Sequence, residues 1–139
     1  MHAIRLRGPW AFSIGGTSAS GRIDFPSTWR QLVSAAASAG REPTDRNSIT
    51  LRRRFHRPTG LETGDRVVLS LAHSGKGLTA RLNGAELALL AQSGGSLEAE
   101  ITSSLADHNE LAVELAPPST APLDSAASVL EATLEIHSA

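Results

Sequence analysis

The chain has 139 residues, a length that suits one domain burying about 68–70% of the surface its unfolded form exposes. Its 13 basic and 14 acidic residues nearly cancel, which excludes a global field that gathers nucleic acid or draws the protein onto an anionic membrane. Cysteine is absent, so disulfides and thiolate metal sites are excluded as well.

The opening "MHAIRLRGPW" lacks the apolar core of roughly 7–15 residues that a signal peptide needs, and no run approaches the ~18 apolar residues of a membrane span. The expectation is a soluble, cytoplasmic protein forming a single domain over residues 1–139. The first structured stretch, "IRLRGPWAFSI", alternates. Ile4 and Leu6, then Trp10, Phe12 and Ile14, occupy every second position around a Gly8-Pro9 break, which is the period of half-buried strands.

"STWRQLVSAAASAG" changes period. Trp29, Leu32, Val33, Ala36 and Ala37 fall at helical spacing, Thr28 with Gln31 three residues on forms a capping box, and Gly40 marks the stop. The spacing predicts one short helix, after which "GREPTDRN" reads as a polar loop.

Strand period returns in "SITLRRRFHRP", where Ile49, Leu51 and Phe55 share a face with Arg53 while Arg52, Arg54 and His56 share the other. "DRVVLSLAHS" places Val67, Leu69 and Leu71 on one face. The turn-rich segments "TGLETGD", "SGKG", "LNGA" and "SGGS" follow at the intervals of an antiparallel all-β domain. In "LNGA" the Asn83-Gly84 pair supplies the two positive φ angles of a type I′ hairpin, so Asn83 is read as a turn residue. "SLEAEI", "NELAVELA" and "SVLEATLEIHS" complete the strands, with a single helical turn expected after Thr102 and a proline loop in "APPSTAPLDS". The last strand sets Leu130, Ala132, Leu134 and Ile136 on one face.

Several of these pieces form an ordered pattern: Leu51-Arg52-Arg53-Arg54-Phe55, then Leu82-Asn83-Gly84, then Glu100-Ile101-Thr102, then Asn109-Glu110-Leu111-Ala112-Val113. That order resembles the sugar-binding domain of glycoside hydrolase family two, the β-galactosidases, β-glucuronidases and β-mannosidases. The resemblance runs from about Arg5 to the last strand. It implies a galactose-binding-domain-like jelly-roll β-sandwich of about eight antiparallel strands with one short helix. It also implies a non-catalytic, carbohydrate-associated module, because the family's acid and nucleophile carboxylates lie in a separate domain. The sequence departs from the family pattern in two respects: no Phe, Tyr or Trp occurs between Ala80 and Glu100, and the strand that in the family begins with a Trp-Tyr pair begins here Thr50-Leu51.

Other chemistry finds less support in the residues. Glu98 with Glu100, and Glu131 with Glu135, share strand faces and read as solvated outer carboxylates. No Gly-x-Ser-x-Gly elbow appears. His2, His56, His73, His108 and His137 are scattered in sequence, so neither a metal nor a cofactor is expected. Strand alternation splits "LRRRFHR" between two faces without interleaved aromatics, so nucleic acid is not an expected partner.

Three residues stand out as ligand contacts. Arg53 shares an apolar face and needs a partner there, either a structural ion pair or a ligand. Trp29 is either core packing for the short helix or an aromatic face, and His73 either an ordinary loop histidine or a polar contact beside it. The expected ligand is a mono- or oligosaccharide. The alternative is a protein-interaction or structural module that keeps the sandwich and has lost the sugar site.

Overall fold

The computed structural model describes residues 1–14, 20–38, 48–116 and 128–138. Two antiparallel sheets face each other. One contains β1 (His2–Arg5), β11 (Leu130–His137), β5 (Arg66–His73), β9 (Leu97–Glu100) and β8 (Leu90–Ala91), in that spatial order. The other runs β3 (Ser20–Ile23), β2 (Trp10–Ile14), β4 (Ile49–His56), β10 (His108–Ala116), β6 (Lys76–Leu82) and β7 (Ala85–Glu86). The result is an all-β jelly-roll sandwich, as the sequence predicted.

Period-two alternation sets the inner faces. Phe12 and Ile14 of β2, Ile49 and Leu51 of β4, and Leu111, Val113 and Leu115 of β10 are buried against Val67, Leu69 and Leu71 of β5 and Leu130, Ala132 and Leu134 of β11. Each large apolar side chain buried this way contributes about 1.5–3 kcal/mol. Trp10 anchors one end of this core, donating its indole N–H to the Leu6 carbonyl at 2.8 Å and meeting the Phe25 ring edge-on at 5.5 Å between centroids.

The helix α1 covers Trp29–Ser38. Its capping box is complete: Gln31 N–H donates to Thr28 Oγ1 at 3.2 Å, and Thr28 N–H donates to Gln31 Oε1 at 2.8 Å. Trp29 and Leu32 are fully buried. The side chains of Val33, Ala36 and Ala37, the expected stop at Gly40, the "GREPTDRN" loop up to Asn47 and most of the proline loop lie outside the described residues.

Eleven strand segments occur among the described residues, rather than about eight. One addition is β3, whose "SGRI" carries too little apolar alternation to announce a strand. It pairs with β2 through Trp10↔Ile23 and Phe12↔Gly21, and a Cβ on Gly21 would lie 2.7 Å from the Phe12 ring. The other additions come from "AELALLA", the arm that follows the Asn83-Gly84 turn, which leaves one sheet after β7 and enters the other at β8. Between them Leu87 and Leu89 pack against the core, which draws the chain inward and ends the ladder. A 3₁₀ turn spans Thr102–Ser104, where the sequence anticipated one.

Candidate functional site

The family-like motifs converge on one end of the larger sheet. Register pairs Phe55 with Asn109 and His56 with His108, so β4 ends where β10 begins. Asn109 is 3% exposed and all of its polar capacity is engaged. Its Oδ1 accepts from Ala106 N–H at 2.8 Å, and its Nδ2 donates to the Ala106 carbonyl at 2.9 Å, which closes the 106–109 turn. A longer bond of 3.4 Å runs from Nδ2 to the Phe55 carbonyl.

Asn83 joins this network. Its φ of 53° and the 86° of Gly84 satisfy the hairpin that the sequence predicted. Its side chain does more than turn the chain: Nδ2 donates to Asn109 Oδ1 at 3.0 Å, and Oδ1 accepts from Glu110 N–H at 2.9 Å. The hairpin tip is thereby latched to β10. Close by, Val67 N–H donates to Thr102 Oγ1 at 2.9 Å, tying the 3₁₀ segment to β5 in the opposite sheet.

Beside this latch a cleft of about 750 Å³ opens between the sheets, within the ~300–1,000 Å³ range of small-ligand sites. Its floor is apolar, from Leu6, Phe55 and Leu134, and its rim carries Arg54, His56, His108 and Glu110. The two imidazoles meet edge to face, 4.8 Å between centroids. Arg54 Nε lies 3.5 Å from Glu110 Oε2 in an exposed pair of little energetic consequence.

Arg53 reaches this cleft from the inner face of β4, half-buried. Its guanidinium donates to the Arg54 carbonyl, its Nε is buried with no hydrogen-bond partner, and it forms no carboxylate ion pair among the described residues. Among the described residues its acceptor is a backbone carbonyl rather than the carboxylate of a structural ion pair. A charged donor in such a place suits an acceptor supplied by a ligand.

Trp29 and His73 belong elsewhere. Trp29 is 0% exposed and donates its indole N–H to Ser74 Oγ at 2.7 Å, while Ser74 in turn donates to the Ser128 carbonyl. A Cβ on Gly75 would lie 2.5 Å from the Ala116 carbonyl oxygen and 3.1 Å from Trp29 Cζ2, which places this cluster at the far end of β10 from the cleft. Packing therefore accounts for Trp29. His73 adjoins the same cluster, half-buried, and burial lowers its pKa below 6.5, partly offset by a backbone hydrogen bond at Gly75. The structure brings Trp29 and His73 near each other and keeps both apart from Arg53.

The His56–His108 pair escaped the sequence reading, because 52 positions separate the two residues. Only the antiparallel register of Phe55 with Asn109 reveals it. Among the described residues no group of three or more His, Asp or Glu side chains gathers as a metal site. Glu98 and Glu100 flank the inward Ala99 on β9, and Glu100 lies 3.7 Å from Arg66. Glu135 lies 3.4 Å from His137. No described helix is long and apolar enough to cross a membrane.

No protein-family model and no curated protein sequence matches the chain. Solved structures do. A β-D-mannosidase from Dictyoglomus thermophilum matches 99% of the chain with a TM-score of 0.69 at 12% identity. An FMN-binding β-glucuronidase from Faecalibacterium prausnitzii matches 96% at 0.65 and 20% identity, and a β-glycosidase from Bacteroides vulgatus 98% at 0.66 and 14% identity. In each case the match covers only 20–23% of the other chain. At such identities the likeness shows the fold, and the chain has the β-sandwich fold that these glycosidases carry as one part of a much longer polypeptide.

Proposed function

We propose that the chain is a non-catalytic, carbohydrate-associated binding module that takes a mono- or oligosaccharide in the cleft beside β4 and β10. The observation that carries this reading is Arg53, an inward guanidinium without a carboxylate partner among the described residues, opening into a cavity of ligand size. Of the three residues singled out in the sequence, the ligand contact is assigned to Arg53. Trp29 holds the helix to the core, and His73 lines the opposite end. His56, His108 and Glu110 supply further donors and acceptors for hydroxyl groups at the rim.

The sandwich matches about a fifth of several glycosidases, which supports the carbohydrate setting and a role in binding rather than turnover. Titration with methyl glycosides, wild type against Arg53→Met, tests the assignment. Binding that Arg53→Met abolishes in a folded protein supports it, and binding unaffected by the change contradicts it.

A second reading, a protein-interaction module that has kept the sandwich and lost the sugar site, is favoured by one observation. All five aromatic residues, Trp10, Phe12, Phe25, Trp29 and Phe55, are buried, so none offers a face to a pyranose. Absence of binding to any glycoside, together with stoichiometric capture of one protein partner, would select that reading.

A further inference from the structure

Three of the chain's twelve arginines line up across one surface in a regular way. Across the outer face of the larger sheet, Arg22 lies opposite Ala11, Ala11 opposite Arg52, Arg52 opposite Ala112, and Ala112 opposite Arg81. These five residues form one row perpendicular to the strands, in the order Arg, Ala, Arg, Ala, Arg. The three arginines are exposed, and among the described residues none of them is in an ion pair. Glu110 is engaged by Arg54, and Glu114 lies one pair along, opposite Thr50 and Thr79. Glu86 closes the row beyond Arg81.

The alanines leave hollows between the arginine stems. One, of about 420 Å³, is bounded by Arg22 and Arg52 with Ala11 in it and reaches Arg53, Arg54 and Glu110; the next, of about 300 Å³, lies between Arg52 and Arg81 with Ala112 in it and carries Glu86 and Glu114 at its edge. Strands about 4.8 Å apart place successive arginines about 9.5 Å apart along the row. We infer that this face is a second binding surface, adjoining the cleft at Arg53, Arg54 and Glu110, for a linear acidic glycan carrying one carboxylate or sulfate per disaccharide. Each guanidinium meets one anionic group in a forked, charge-assisted contact. Each hollow receives the intervening neutral ring.

The spacing and the lack of exposed aromatics distinguish this occupant from others. An extended acidic peptide presents carboxylates on one face about every 6.8 Å, out of step with the row. Single-stranded nucleic acid binds through bases stacked on aromatic side chains, and every Trp and Phe ring here is buried. A glycan held by ionic contacts needs no such ring.

The test uses a hyaluronan decasaccharide as probe, with chitohexaose as the neutral control and poly-L-glutamate and oligo-dT as competing polyanions. The decasaccharide is expected to bind more tightly than chitohexaose and to weaken about tenfold or more as salt rises from about 0.05 to 0.5 M. Replacing Arg22, Arg52 and Arg81 together by Gln is expected to abolish that binding, and Arg52→Gln alone to weaken it, whereas Arg66→Gln, the same single charge change on the other sheet, leaves it unaltered. Ala112→Glu sets a carboxylate between Arg52 and Arg81 and is expected to abolish binding without removing any arginine. His108→Ala, on the rim of the cleft and outside both hollows, leaves it intact, which separates this surface from the cleft and lets either site fail alone. Equal affinity for the neutral control, survival of binding in the triple variant or in Ala112→Glu, loss in His108→Ala, or tighter binding of poly-glutamate or oligo-dT would each overturn the inference.

Discussion

Asn83 and Asn109 lie 26 positions apart and share a hydrogen bond of 3.0 Å, from the Nδ2 of one to the Oδ1 of the other. This contact joins two motifs that look independent in the sequence. Asn83 bends the hairpin and pairs with the backbone of Glu110 on both sides, because its own N–H donates to the Glu110 carbonyl at 2.9 Å while its Oδ1 accepts the Glu110 N–H. Asn109 satisfies the turn that feeds β10. The wall of the cleft therefore rests on a polar network that closes on itself.

Breaking that network should be costly in a graded order. Asn109→Ala strands the Ala106 groups and the Asn83 amide, and is expected to cost roughly 2–4 kcal/mol. Asn83→Ala loses the latch and strains a positive-φ site, whereas Asn83→Gly keeps the turn and loses only the latch. Urea denaturation should rank them Asn109→Ala, Asn83→Ala, Asn83→Gly in decreasing damage, and an Asn83→Gly protein as damaged as Asn83→Ala would leave the turn conformation without influence.

The capping box predicts a smaller effect at the start of α1. Thr28→Ala removes the acceptor for Gln31 N–H and should cost about 1 kcal/mol, while Thr28→Ser keeps it and should lie within a few tenths of wild type. Thermal melts of the two variants check this, and equal melting temperatures would deny the cap any role.

Close approach explains one glycine better than backbone freedom does. A Cβ on Gly75 meets the Ala116 carbonyl at 2.5 Å and Leu115 Cδ1 at 2.6 Å, whereas one on Gly94 meets nothing within 4 Å. Gly75→Ala is expected to destabilise by about 1–3 kcal/mol through overpacking, and Gly94→Ala to change stability by less than about 0.5 kcal/mol. Similar stabilities for the two would contradict the packing of Trp29, Ser74 and Gly75 described above.

His73 gives the molecule a pH-dependent element. Burial holds its folded-state pKa below the ordinary 6.5, so as pH falls through 6.5 the unfolded chain takes up a proton that the folded chain declines. The stability this residue lends is present above 6.5 and is lost as pH falls through its depressed folded value. Wild type should therefore lose melting temperature relative to His73→Gln on going from pH 7.5 to below 6, and parallel curves for the two proteins would contradict the burial of this imidazole.

Much of the sandwich was legible because its strands bury one face. Ile49, Leu51 and Phe55, or Val67, Leu69 and Leu71, alternate in the only way that keeps them all inside, and Thr28 with Gln31 marks the helix start chemically. The β3 strand was not legible, since "SGRI" is an edge held by its neighbour rather than by its own pattern. The break in "AELALLA" was hidden for a related reason: Leu87 and Leu89 are partly buried at a sheet crossing, where periodicity does not tell which sheet they belong to. For the site, alternation placed Arg53 on the inner face correctly. It had no means of showing that Trp29 would be fully buried at the far end of β10, that His56 would meet His108, or that Arg22, Arg52 and Arg81 would align, since each of these is set by register between strands.

The central claim is that a sugar occupies the cleft beside Arg53, and amide chemical-shift mapping during titration with methyl glycosides tests it most directly. With few contacts and no stacking ring, the affinity is expected on the order of millimolar, about 4 kcal/mol. The account predicts saturable shifts clustered at Arg53, His56, His108 and Asn109, no hydrolysis of the glycoside, and loss of the shifts in Arg53→Met. Shifts clustered at Ser74 and the start of α1, or no shifts with any glycoside, would contradict it.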